Sequence, residues 1–175
     1  ALLLAFIHEL IRTGLYDRDF LVRYSNAGQL IHADEASDAF GLHVRDAAAP
    51  EVNAMYPQNK LWWDRLSDRP VATHTEGADP FLLGEFTLPD GEHQGSKVKP
   101  AFALLAERVR TCTPEWAEGI TGIAADTIRR LAHEMGITAR DQKIELPIPW
   151  TDMWGKEHDT VTGNPVAFHA MRGLA

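Results

Sequence analysis

Histidine is followed directly by glutamate twice in the chain, at His8-Glu9 and at His133-Glu134. A zinc-protease helix needs a second histidine four residues after the first, so that both imidazoles share one face. Arg12 and Ile137 occupy those positions, so both histidines read as ordinary helix residues. Cys112 lies between Thr111 and Thr113, just before a helix start, where the positive helix end could lower a thiol pKa. No His or Asp at a local spacing would activate it, and it reads as a small buried residue. A single cysteine also excludes an intramolecular disulfide and any cysteine-built zinc or iron–sulfur site made by this chain alone. There is no Gly-x-Ser-x-Gly elbow and no phosphate-binding Gly-Lys-Ser/Thr loop. The acidic pairs Asp17/Asp19 and Asp34/Glu35 read as caps and solvated loop charges rather than a general acid and base.

Two segments keep functional interest. Trp150-Thr-Asp-Met-Trp-Gly-Lys-Glu-His158 places two tryptophans and a histidine in an irregular stretch. It is either a surface packed under another segment or the lining of a ligand site. Farther on, Pro165–Ala170 reads as a buried strand that delivers Met171, Arg172 and Gly173 at its carboxyl end. Ligands gather at such strand ends in open α/β sheets. A glycine there admits backbone N–H groups close to a phosphate, and an arginine offers a bidentate anion contact.

The 175 residues carry 25 acidic and 17 basic side chains for a formal charge of −8, and 45% are hydrophobic. This is the composition of a folded globular chain, and it lacks the basic surface expected of a nucleic-acid partner. The longest apolar run, residues 1–7, falls far short of the roughly 20 residues a membrane-spanning helix needs. Because the chain opens inside an apolar pattern without Met and closes on Gly173-Leu174-Ala175, it reads as a segment of a longer protein.

The elements that must position these residues follow from periodicity and punctuation. Leu3, Leu4, Ile7, Leu10 and Ile11 predict a helix over 1–14, ended by Gly14. Asp17 is set to cap a second helix, Arg18 to Tyr24, with Phe20, Leu21 and Tyr24 inward. Residues 25–99 keep no helical period and read as an excursion of short strands, at Gln29–His32, Leu61–Asp64, Val71–His74 and Gly84–Leu88. Leu88-Pro89-Asp90-Gly91 is a turn in which proline presets φ. Residues 100–136 are helical: one helix from Pro100, one that starts at Thr113-Pro114-Glu115 and stops at Gly119, and one over 124–135 closed by Gly136. Residues 137–164 form an aromatic loop, and 165–175 hold the last strand and the start of its ligand loop.

Three blocks together resemble the molybdopterin oxidoreductase (dimethyl sulfoxide reductase) family: residues 2–17 with Phe20, Leu21 and Tyr24; Thr113–Gly122 running into Thr127–Ala132; and Pro165–Gly173. The resemblance implies an α/β fold, part of a Rossmann-like αβα domain with a long strand-and-loop excursion, spanning 1–175 of an internal fragment. It implies a molybdopterin guanine dinucleotide cofactor with Mo or W, touched here by Met171, Arg172 and Gly173, and an iron–sulfur cluster in the parent protein that this fragment does not ligate. The excursion and the aromatic segment look most like members acting on sulfur oxyanions such as sulfite or thiosulfate, among them a membrane-associated sulfite dehydrogenase. Thiosulfate, polysulfide and tetrathionate reductases are close competitors. The expected partners are the rest of the catalytic subunit, an iron–sulfur electron-transfer subunit, and a membrane-anchor subunit, with a cytoplasmic setting. Such a fragment would carry no metal ligand and be inactive alone. The rival reading is a non-catalytic scaffold or interaction domain derived from the same fold.

Overall fold

Residues 2–12 repeat apolar side chains on one helical face, and the chain answers with helix α1, Leu2–Arg12. The computed structural model of the chain describes residues 1–46, 59–73, 75–91 and 93–167. The elements gather into two compact units, Ala1–Tyr16 with Thr111–Ala175, and Asp17–Arg110.

In the first unit α1 packs with α4 (Pro114–Thr121) and α5 (Ala125–Asp141) around Ala5, Ala117 and Ile128. Helix α4 begins as its sequence dictates: the Thr113 hydroxyl accepts from the Trp116 amide, and Pro114 fills the first turn. It runs past Gly119 and stops at Gly122, whose left-handed φ of 72° lets its N–H return to the Glu118 carbonyl. The Glu118 carboxylate in turn accepts from the Ala125 amide at 3.0 Å, which ties the start of α5 to α4. Gly136 does not close α5. The helix continues through it to Asp141, and Gly136 instead makes room for Leu10 of α1 and for Leu15 just after it. A Cβ there would lie 2.9 Å from Leu10 Cδ2 and 3.0 Å from Leu15 Cβ. Glu9, buried on α1, is held by a two-pronged ion pair with Arg12 at 2.6 and 3.2 Å.

Residues 137–164 are more ordered than the expected loop. After α5 come β6 (Ile144–Leu146), β7 (Trp150–Thr151), β8 (Glu157–His158) and β9 (Val161–Gly163). Strand β6 pairs with β9 and β7 with β8, both antiparallel, so the segment is one nested hairpin. Of the strand expected over Pro165–Ala170, residues 165–167 are not in a strand, and the remainder lies outside the described residues.

The second unit begins with α2, Arg18–Tyr24, where Asp17 accepts from the Phe20 amide at 2.9 Å as expected. The inward face expected for it does not form: Phe20 is 56% and Tyr24 72% exposed. Strands β1 (Leu30–His32), β5 (Lys97–Pro100) and β4 (Phe86–Thr87) make one antiparallel sheet in the order β1-β5-β4. Strands β2 (Leu61–Asp64) and β3 (Arg69–Ala72) form a hairpin, joined to the first sheet by the bridges Gln29↔Trp62 and, through the neighbouring segment, Ile31↔His43 and Arg45↔Lys60. Leu30, Val44, Trp63, Leu88 and Val98 fill the space between, with Phe86 stacked on Trp63 at 4.6 Å. Helix α3, Ala101–Val109, follows β5 directly and buries Phe102, Ala103 and Val109. The chain therefore mixes helices and strands as an α/β protein. Every strand pair among the described residues is antiparallel.

Gly136→Ala separates propensity from packing. Alanine favours an isolated helix by about 1 kcal/mol over glycine, but here its methyl meets Leu10 and Leu15 below contact distance. The expected net result is a loss of about 1–3 kcal/mol, the usual cost of overpacking, read as a lower urea midpoint. A midpoint unchanged or raised would show that α1 yields freely at this point.

Candidate functional site

A cleft of about 920 Å³ opens in the second unit, lined among others by His32, His43, Asp46, Asn59, Asp90 and His93. His32 ends β1 and is 3% exposed, with its ring edge-on to His93 at 4.6 Å. Burial, with His93 alongside, pulls the His32 pKa below its ordinary value, so the ring is neutral at neutral pH. His43 is pulled down likewise, by burial first and then by Lys60 and Arg45. The Nδ1 atoms of both rings are buried without a hydrogen-bond partner among the described residues.

Two such imidazoles in one cleft invite a metal or anion reading, and strand geometry decides against convergence. His43 pairs with Ile31, so it stands on the face of the sheet opposite His32, which shares its side with Leu30. Among the described residues no group of three or more His, Cys, Asp or Glu side chains could hold a metal ion. Arg45 is oriented by Asn59, which accepts from its Nη1 at 3.0 Å. The cleft is a mixed recess in which neutral imidazoles stand among apolar side chains such as Val44, Leu61, Val71 and Leu88, and among the described residues it holds no nucleophile paired with a base.

The same unit holds a buried and well-satisfied carboxylate. Asp64, buried at the end of β2, accepts from the Ser67 amide at 2.9 Å, the Ser67 hydroxyl at 2.6 Å and the Asp79 amide at 2.8 Å. These bonds, led by the Ser67 hydroxyl, lower its pKa from 3.8 to about 2. Asp79 then pairs with Arg18 and Arg65, and Arg18 also donates to the Pro80 carbonyl at 2.8 Å. This cluster ties the β2–β3 hairpin to α2 and is structural.

The aromatic segment 150–158 forms the end of the nested hairpin. Trp150 stacks on His158 at 4.5 Å with the rings 13° apart, and the Trp150 Nε1 donates to the Thr160 carbonyl. Asp152 shapes the tip by accepting from the Lys156 and Trp154 amides, each at 2.9 Å, while its other oxygen meets His158 Nε2 at 3.1 Å. The Lys156 amide and then His158 hold its carboxyl below the usual range. The stacked pair runs across the ribbon, with Trp150 44% exposed.

Of the other sequence candidates, Cys112 is buried, His8 sits partly buried on α1, and His133 is exposed on α5. Met171, Arg172 and Gly173 lie outside the described residues. Sequence reasoning passes over His32 and His93. The signal for them is a histidine closing an apolar strand and another just after the Pro89-Asp90-Gly91 turn. No helix among the described residues is long and apolar enough to cross a membrane.

No family model matches the chain. A curated relative from Allochromatium vinosum, named as a sulfite dehydrogenase subunit, is 62% identical over 175 residues, which is all of this chain and 18% of the relative. The chain thus spans less than a fifth of the length of the relative it matches. These findings correct the resemblance drawn from the three sequence blocks: what the chain matches is a sulfite dehydrogenase subunit, and its assignment to the molybdopterin oxidoreductase family as an internal catalytic fragment is withdrawn. The physical reason is plain in the blocks themselves. A helix opened by Thr-Pro-Glu and closed by glycine satisfies capping needs common to many folds. The third block, which carried the cofactor residues, lies from residue 168 onward outside the described residues. The cofactor expectations rested on that block, and no described residue bears on them.

The acid side of the stability profile follows from Asp64 and His32. Asp64 has a folded pKa below its unfolded one, so its contribution is complete above 3.8 and is lost as pH falls toward about 2. His32 also has a lowered folded pKa, so the unfolded chain takes up the proton first, and stability begins to fall below pH 6.5. Asp64→Asn should flatten the lower limb of a urea-midpoint profile, and His32→Gln the upper limb. Parallel profiles for variant and parent would show that other groups govern the acid response.

Proposed function

We propose that this chain is part of an oxidoreductase subunit that oxidises a sulfur oxyanion, sulfite in the first place. The observation that carries the reading is 62% identity, over the whole of this chain, to a protein named as a sulfite dehydrogenase subunit. In the reaction, sulfite and water give sulfate, two protons and two electrons, so an electron acceptor must be coupled to the site. The relative's being named a subunit supports the presence of at least one further chain in the assembly. The partner proposed to carry the two electrons onward, one at a time, is an iron–sulfur subunit. Membrane association would come through a partner subunit, with this chain on the cytoplasmic side.

The described residues contribute framework to such a subunit: a three-helix packing, a two-sheet unit with a histidine-bearing recess, and a ribbon. The reacting groups are assigned to the rest of the polypeptide. Within 1–175, Met171, Arg172 and Gly173 are the residues proposed to touch the redox cofactor, with Arg172 binding an anionic group and Gly173 allowing close backbone approach.

Purified full-length protein should reduce an artificial electron acceptor when, and only when, sulfite is supplied, with sulfate as product. Absence of sulfite-dependent turnover, with the protein folded and its partners present, would favour the scaffold reading instead. Gly173→Val in the same protein should lower its bound redox metal per polypeptide, measured by elemental analysis. Metal content equal to that of the parent would remove Gly173 from the cofactor surface.

A further inference from the structure

The nested hairpin of 144–163 is amphipathic across its pairing. Strand alternation and the pair Leu146↔Val161 place Ile144, Leu146 and Val161 on one face, with the pair Glu145↔Thr162 on the other. The described residues cover the apolar face only in part: Ile144 and Leu146 are each 45% exposed and Val161 37%. At the far end, the tip presents Met153 at 85% and Trp154 at 83% exposure. That presentation is built, since Asp152 fixes the turn by accepting from the amides of Trp154 and Lys156 and by meeting His158. Two physical facts conflict with such a ribbon standing alone in water. A two-stranded hairpin is marginal by itself, and a large aromatic side chain held at a rigid tip is the form that buried interface anchors take.

We propose that this ribbon is a docking arm whose apolar face and Met153–Trp154 tip are covered by the remainder of its own polypeptide, outside 1–175. The occupant is chosen on length: this chain matches 18% of its relative, leaving more than four-fifths of a comparable polypeptide to supply the cover. The proposal rests on the reading that this chain belongs to a longer subunit, and it is independent of the sulfite chemistry assigned to that subunit.

The test replaces Trp154 with the photoreactive aromatic benzoylphenylalanine in the full-length protein, so that size and aromatic character at the tip are kept. After irradiation of the purified protein, crosslinked peptides are mapped by mass spectrometry. Crosslinks from position 154 to segments of the same polypeptide outside 1–175 are the expected result. Crosslinks within 1–175, to another subunit, to a second copy of the same chain, or none at all would each overturn the assignment. A second measurement guards against misfolding of the labelled protein. Met153→Asp combined with Trp154→Asp should lower the thermal midpoint of the full-length protein, and an unchanged midpoint would count against a buried tip. Sulfite turnover is assayed on the unmodified protein, so failure of the proposed function and failure of the docking arm are read separately.

Discussion

The second unit depends on one long-range pairing, Leu30–His32 against Val98–Pro100. It joins segments almost seventy residues apart, so it carries a large share of the loop-closure entropy of the unit. The offsetting gain is visible in the side chains at its two ends, Leu30 and Val98, both fully buried. Once that pair is fixed, β4 adds to the free edge of β5, helix α3 follows from Pro100 without a linker, and the Val44 segment lies against β1 on its other side. The same pairing sets the register that puts His32 on the side of Leu30, while His43 takes its side from its own bridge to Ile31. A one-residue slip of β1 would turn His32 over and empty the core of Leu30.

How legible this was in the sequence varied with the range of the interaction that decides each element. Local signals were read well. The Asp17 cap, the Thr113-Pro114 start and strand Leu61–Asp64 all depend on neighbours within a few residues. Strand Lys97–Pro100 was missed because two lysines and a proline disguise it. Its β character comes from partners on both sides, and Lys97 and Lys99 extend to Glu85 instead of entering the core. Gly136 shows the opposite error. A glycine near the end of a periodic run reads as a helix stop, yet tertiary packing used its missing side chain to bring α1 close.

The functional residues were less legible for a different reason. A recess such as the one beside His32 is defined by which side chains a fold leaves without partners, and that is not a property of any short motif. The tryptophan-rich segment carried a real signal that was assigned to a loop. Its strands are only two or three residues long, and the stabilising contacts, Trp150 on His158 and Asp152 on the tip amides, run across the ribbon rather than along the sequence. The three-block resemblance drew on helix caps and a glycine-ended strand, which report how a chain turns more than what it binds.

Both units leave large apolar side chains at the surface, and they differ in the cores they close. The second closes its own core around Trp63, whose ring is covered by Phe86 and whose indole N–H is satisfied by Asp68 at 2.9 Å. In the first, the helices bury chiefly small residues, Ala5, Ala117 and Ala132, around Ile128, while Ile120 on α4 and the larger side chains of the ribbon stay open. Small-residue contacts let helices approach closely but remove little apolar area from water. A unit built this way gains modest stability from its own core and keeps its large hydrophobic side chains at the surface. That distribution is what a segment folded within a larger body requires, where surface apolar groups in the segment are core groups in the whole.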